Sequence, residues 1–317
     1  SASLVGSEMC IRDRCWILYT GVYLGRYCYN SNINQIMAFY GAEHSDAGLV
    51  TTCFFFAYGA GQIINGLFCK RYRAKYVLGG ALFFSALFNL AVFFAGDFRF
   101  IKYLWLLNGF AQSFVWSSLM LVLGKNLSRK NLKRAVLVMS TSTAAGTLIT
   151  YGISALLALF GGFRFSFLIG CFALVTIALL WLCLFDKYTA KGEEKESEEE
   201  EKRTSLPSAP DRRTGNSALI IVVLLGFFAI VNNLVKDGLT TWVPSILKEE
   251  YALSDSLSIV LTLALPVLAV FGSAVSMLLN SRIKDFIAVA GLLFCGAALS
   301  IFGVTCLLDK NYWAVLV

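Results

Sequence analysis

From Cys15 onward the chain alternates long apolar runs with short polar segments. The runs lie near 15–40, 47–69, 76–95, 101–124, 135–160 and 165–185, then 218–247, 256–279 and 286–308, and a tenth begins at Trp313 and is cut off at Val317. Each complete run is about the length a helix needs to cross ~30 Å of hydrocarbon. Only helices and closed barrels satisfy their backbone groups in lipid, and runs this long point to helices. The fold class is therefore an all-α polytopic membrane protein. Gly59, Gly61 and Gly66 are spaced to let helices approach closely. Pro244 and Pro266 are expected to kink their helices.

Composition agrees with the pattern. Hydrophobic residues make up 57% of 317 and charged residues only 15%, against about 25% in a soluble domain. An aqueous globular enzyme, a disordered chain and a nucleic-acid-binding domain are excluded, and no nucleic-acid partner is expected. Residues 186–213 hold 16 of the 47 charged side chains. Most of the nine cysteines lie within or beside apolar runs, no CxxC pair occurs, and His44 is the only histidine. Small buried hydrophobes are the expected role of these cysteines, with no metal and no cofactor.

Charge sets the topology. Lys70, Arg71, Arg73 and Lys75 follow the second run; Lys125, Arg129, Lys130, Lys133 and Arg134 follow the fourth; Arg282 and Lys284 follow the eighth. The loop 41–48 carries Glu43 and Asp46 but no Lys or Arg. The positive-inside rule places the even loops, the N-terminus and the central linker in the cytoplasm, in a cell (plasma) membrane protein embedded in the lipid bilayer. The expected organisation is a non-native leader at 1–14, a six-helix half at 15–185, a charged flexible linker at 186–217, and a second half at 218–317 truncated in its fourth helix. A monomer is expected.

Three ionisable residues fall deep in the spans: Arg26, Lys236 and Asp237. A charge at mid-bilayer costs about 2.5–3.5 kcal/mol on insertion scales, so such residues face a cavity or a partner. Tyr19, Tyr23, Arg26, Asn30 and Asn34 recur at helical spacing and share one face. Lys236 opens the second half in the same way, with Asn232 and Asn233 one turn before it and Thr240 one turn after. Facing one another across a central cavity, Arg26 and Lys236 would bind an anion. The rival arrangements are an Arg26–Asp237 salt bridge or local Lys236–Asp237 neutralisation, and Asp237 is expected to balance charge or serve coupling. Tyr58, Gln62 and Asn65 in the second run, Asn108, Gln112 and Trp116 in the fourth, and Ser140, Thr143 and Thr147 in the fifth could complete the wall or join helices by hydrogen bonds. The candidate substrate contacts are Arg26, Lys236, Tyr23, Asn30, Tyr58, Gln62, Gln112, Trp116, Thr143 and Asn233.

GVYLGRYCYNSNI in the first run, AYGAGQIINGLF in the second, NGFAQSFVW in the fourth and VKDGLTTWVPSIL in the seventh resemble the organophosphate:phosphate antiporters of the major facilitator superfamily. The resemblance covers nearly all of 15–317. It implies two six-helix bundles, and phosphate contacts at Arg26 and at Lys236, where the family carries arginine. It departs at Gln62 and Thr143, where sugar- or glycerol-phosphate members carry lysine and glycerol-phosphate members histidine. The expected function is secondary active transport of a small organic anion, an organophosphate among the candidates, in exchange for phosphate or another anion by alternating access. The alternative is a membrane sensor of a phosphorylated metabolite signalling to a partner kinase. An enzyme is not expected, because no buried nucleophile–base pair or acidic cluster occurs in the spans.

Overall fold

A computed structural model describes residues 2–68, 72–185, 235–283 and 285–307. The linker 186–217, the start of the seventh run with Asn232 and Asn233, and the run from Trp313 lie outside the described residues. The described chain is helical: α1 (Ala2–Ser31), α2 (Ile33–Tyr40), α3 (His44–Phe68), α4 (Ala74–Phe94), α5 (Phe98–Asn126), α6 (Arg129–Ala158) and α7 (Arg164–Leu184). In the second half α8 spans 235–251, followed by α9 (Asp255–Thr262), α10 (Ala264–Ile283) and α11 (Phe286–Leu307).

Local chemistry explains the breaks. The first run divides at Asn32, whose φ of −111° and ψ of 14° leave the helix. Its side-chain amide donates to the Cys28 carbonyl at 2.8 Å and to Ser154 Oγ at 3.0 Å, offering the backbone an alternative to its own ladder. Gly41, at φ +64°, closes α2 through a bond from its N–H to the Met37 carbonyl, the left-handed cap that glycine tolerates best. The eighth run divides at Leu263, three residues before Pro266. The Pro266 ring would clash with the carbonyl four residues back, which belongs to the last residue of α9. Pro244 behaves differently: α8 continues through it unbroken. The carbonyl that Pro244 cannot serve, that of Thr240, accepts the Tyr151 hydroxyl of α6 at 2.7 Å instead.

Residues 2–14 are the opening turns of α1 and do not stand apart from the helix that follows. Ile11 is buried and Arg14 Nη1 donates to the Leu184 carbonyl at 3.0 Å.

Packing pairs α3 with α5, α4 with α7 and α1 with α6, and α1 also lies against α7. Small residues set these approaches. A Cβ on Gly146 would come 2.5 Å from Tyr23 Cβ and 2.6 Å from the Thr20 carbonyl, and one on Gly109 would come within 2.3 Å of the Phe54 carbonyl. Gly61 is close-packed against Ser113, whereas a Cβ on Gly59 would meet nothing within 4 Å. The core of the first half runs through Leu18, Val22, Leu82, Leu119, Met139, Tyr151 and Leu174, and Ile259 of α9 joins it. The outer faces are apolar as well, with Phe56, Leu67, Phe94 and Phe160 all more than 70% exposed. In water such a surface would aggregate; in a bilayer it faces lipid. Among the described residues six segments are long and apolar enough to cross a membrane: His44–Phe68, Ala74–Phe94, Phe98–Asn126, Arg134–Ala158, Arg164–Leu184 and Asp255–Gly272. The polar stripe of α1 keeps it out of that set.

Candidate functional site: a cavity between the two halves

The halves meet along one line. Tyr27 Oη donates to Asp237 Oδ1 at 3.1 Å, Asn30 Nδ2 to Thr241 Oγ1 at 2.5 Å, and Ser245 Oγ to Asn34 Oδ1 at 2.6 Å. His44 Nε2 lies 2.7 Å from Glu249 Oε1, and its ring stacks on Trp242 with centroids 5.8 Å apart. The α8 partners are spaced four apart, so each rung sits one helical turn beyond the last. Ser256 Oγ adds a bond to the Ala155 carbonyl at 3.0 Å.

Beside this ladder, lined by Asp237, Thr241 and Trp242 of α8, lies a cavity of about 1040 Å³. α1 contributes Tyr19, Tyr23 and Arg26; α3 contributes Thr51, Thr52 and Tyr58. Trp116 comes from α5, Ser140 and Thr143 from α6, and Lys236, Asp237 and Trp242 from α8. The two cations therefore line one cavity from opposite halves.

Arg26 is 8% exposed and is held rather than free. Its Nε donates to Gln112 Oε1 at 3.0 Å. A guanidinium only donates, so this contact orients the Gln112 amide. Gln112 Nε2 then donates to Ser85 Oγ at 2.9 Å and Asn108 Oδ1 at 3.3 Å. Ser85 Oγ donates to Asn108 Oδ1 at 2.6 Å. Asn108 and Asn89 both donate to the Gly25 carbonyl at 3.1 Å, beside Arg26 in sequence. The network fixes the arginine's position, because each buried polar atom in it would cost about 1–3 kcal/mol if left alone. Around the guanidinium stand Tyr58, with its ring centroid 4.6 Å from Cζ, and Tyr23 and Phe54 at 5.3 Å. Aromatic faces favour a cation without neutralising it. Arg26 Nη2 is buried with no hydrogen-bond partner. Among the described residues neither Arg26 nor Lys236 is in an ion pair. Neither the Arg26–Asp237 nor the Lys236–Asp237 salt bridge is formed; Asp237 takes the Tyr27 hydroxyl instead.

Of the candidates from sequence, Arg26, Lys236, Tyr23, Tyr58, Trp116, Thr143 and Asp237 line the cavity. Three do not. Asn30 is 3% exposed and closes a rung between the halves, and Gln112 is 1% exposed and positions Arg26 from behind. Gln62 Nε2 donates to Tyr58 Oη at 3.0 Å and its Oε1 accepts from Ser117 at 2.9 Å. For each of the three a partner comes from another helix, Thr241, Arg26 and Ser117 respectively, which spacing along one helix does not reveal. Asn233 lies outside the described residues. Thr51, Thr52 and Trp242 were not singled out as site residues. Thr51 is seven residues before Tyr58, two turns along the same face, and that spacing was the available signal.

Comparison with known proteins agrees with this architecture. The Major Facilitator Superfamily profile matches residues 15–317. A segment of 103 residues is 30% identical to the membrane sensor protein UhpC of Escherichia coli (strain K12), covering 32% of this chain and 23% of that protein. The corresponding protein of Salmonella typhimurium is 30% identical over 99 residues, 31% of this chain and 22% of that one. Among solved structures, a bacterial homologue of the human lysosomal transporter Spinster, in an inward-facing and occupied conformation, superposes with a TM-score of 0.68. The superposition covers 97% of this chain and 70% of that one at 15% identity, a likeness of fold. With the family match running from the first membrane helix to the last residue, this multi-pass membrane protein belongs to the Major Facilitator Superfamily.

Proposed function

We propose that the chain is part of a secondary transporter that moves a small organic anion through the cavity between its halves by alternating access. The observation that carries this reading is the buried Arg26 guanidinium, braced by Gln112 and keeping Nη2 unpartnered, in one cavity with Lys236 of the other half. The two cations outnumber the one carboxylate of the lining, so closing the cavity without an anion encloses an uncompensated charge, which is costly. An anion that touches both draws the halves together and lowers that cost, which favours exchange of one anion for another. With the basic loops in the cytoplasm, the ladder from Tyr27 to His44 seals the outer side and the cavity faces inward.

The similarity to UhpC, named a membrane sensor, favours a second reading in which the same cavity reports an anion to a partner rather than carrying it. Proteoliposomes containing the protein separate the two. Phosphate, glycerol phosphate and gluconate are tested for binding by titration and for flux by counterflow. A transporter shows both for at least one anion, and a sensor shows saturable binding with flux no faster than in empty vesicles. No binding of any of these anions refutes the anion site.

A further inference from the structure

The cavity is not uniformly positive. Its charged lining among the described residues is Arg26, Lys236 and Asp237, a net charge of +1. Asp237 accepts one hydrogen bond, from Tyr27, and is in no ion pair among the described residues. A carboxylate has about four lone-pair sites, so most of its accepting capacity is uncommitted.

Three of the neutral hydroxyls on the wall have the same polarity, while Thr51 Oγ1 is unpartnered and Tyr58 Oη, which accepts from Gln62, keeps its proton. Thr52 Oγ1 donates to the Gly48 carbonyl at 2.9 Å, Ser140 Oγ to the Val136 carbonyl at 3.1 Å, and Thr143 Oγ1 to the Ser140 carbonyl at 3.0 Å. Each proton is spent on the residue's own helix, and what remains toward the cavity is oxygen lone pairs. The cavity thus offers charged donors at Arg26 and Lys236 and an accepting wall at Asp237, Thr52, Ser140 and Thr143. Oxygens of an anion fit the donors and are repelled by the acceptors. Hydroxyl groups fit the wall, because each brings the proton that it lacks. Tyr19, Tyr23 and Trp116 supply flat faces for the C–H surface of such a molecule.

Building on the transport site above, we propose that the cavity takes a small monovalent organic anion bearing several hydroxyl groups. Its charge is held by Arg26 and Lys236, and its hydroxyls donate to Asp237 and the accepting wall. One negative charge brings the described lining to neutrality; a second would leave an uncompensated charge next to Asp237.

Titration of the full chain in nanodiscs at pH 8 with three probes tests this. Gluconate is monovalent and hydroxylated, hexanoate is monovalent without hydroxyls, and glycerol phosphate carries close to two charges at that pH. The wild type is expected to bind gluconate at least about tenfold more tightly than either of the others, the scale of one lost charged hydrogen bond. Asp237→Asn is expected to narrow or reverse the preference over glycerol phosphate, as the lining rises to +2. Thr143→Val, nearly the same shape, is expected to weaken gluconate and leave hexanoate unchanged, a split that a packing defect does not produce. Glycerol phosphate or hexanoate binding the wild type as tightly as gluconate overturns the proposal, and this wild-type panel holds even where a variant fails to fold. Arg26→Ala separates the two levels. Loss of all anion binding in that variant keeps the transport site even where the class is wrong. Undiminished binding, or no binding of any probe to the wild type, removes the site itself.

Discussion

Tyr151→Phe removes one hydroxyl, and the consequence follows from a proline on another helix. Pro244 has no N–H, so the Thr240 carbonyl has no intrahelical partner. The Tyr151 hydroxyl supplies one at 2.7 Å, from the other half of the molecule. Without it that carbonyl is left unsatisfied between α6 and α8, where Tyr151 is fully buried. Such a group costs about 1–3 kcal/mol in general, while measured interhelical bonds in membranes average about 0.6 kcal/mol with a maximum near 1.7. A value of about 1 kcal/mol is therefore expected, a shift of roughly fivefold between closed and open outer gates. Spectroscopic labels carried on non-natural residues at exposed Glu43 and Glu250 report the gate distance by electron–electron resonance. Tyr151→Phe is expected to increase the long-distance population. Pro244→Ala restores an N–H for the Thr240 carbonyl, so Tyr151→Phe should cost far less in that background. Strictly additive effects in the two-mutant cycle would refute the reasoning.

Other consequences can be measured in the same preparations. Gly146→Val would force α1 and α6 apart at Tyr23 and Thr20 and should lower thermal stability by about 1–3 kcal/mol, whereas Gly80→Ala, with nothing within 4 Å, should be neutral or slightly stabilising. Gln112→Leu leaves Arg26 Nε unpaired and its fork unaimed; anion affinity by titration should fall about tenfold with little change in overall helicity. Along the gate, the exposed His44–Glu249 pair should matter less than the buried Asn30–Thr241 bond. His44→Ala should shift the label distance by well under the equivalent of 1 kcal/mol, and Asn30→Ala by more.

Span positions were legible because a bilayer enforces them: a run of about twenty apolar residues has few alternatives to a helix. The ends were less so. The break at Asn32 depends on Ser154, 122 residues away, and no local pattern encodes that bond. Pro244 and Pro266 look alike in sequence yet differ in outcome, because a tyrosine from α6 serves the carbonyl that Pro244 leaves and α9 simply ends before Pro266. In the site, rarity did most of the work. Deep charges are few, and Arg26, Lys236 and Asp237 all line the cavity. The stripe of α1 had two functions where periodicity suggested one face: Tyr19, Tyr23 and Arg26 reach the cavity, while Asn30 and Asn34 join the halves. Gln62 and Gln112 were placed correctly on their helices, but their bonds lead to Tyr58, Ser117 and Arg26 rather than into open space.

The central claim is that Arg26 and Lys236 jointly hold a transported anion. Counterflow of radiolabelled gluconate and phosphate into proteoliposomes preloaded with the same unlabelled anion tests it directly. The wild type is expected to accumulate label for at least one of them, and Arg26→Ala and Lys236→Ala each to reduce that rate to the level of empty vesicles. Wild-type rates in both variants would contradict the account.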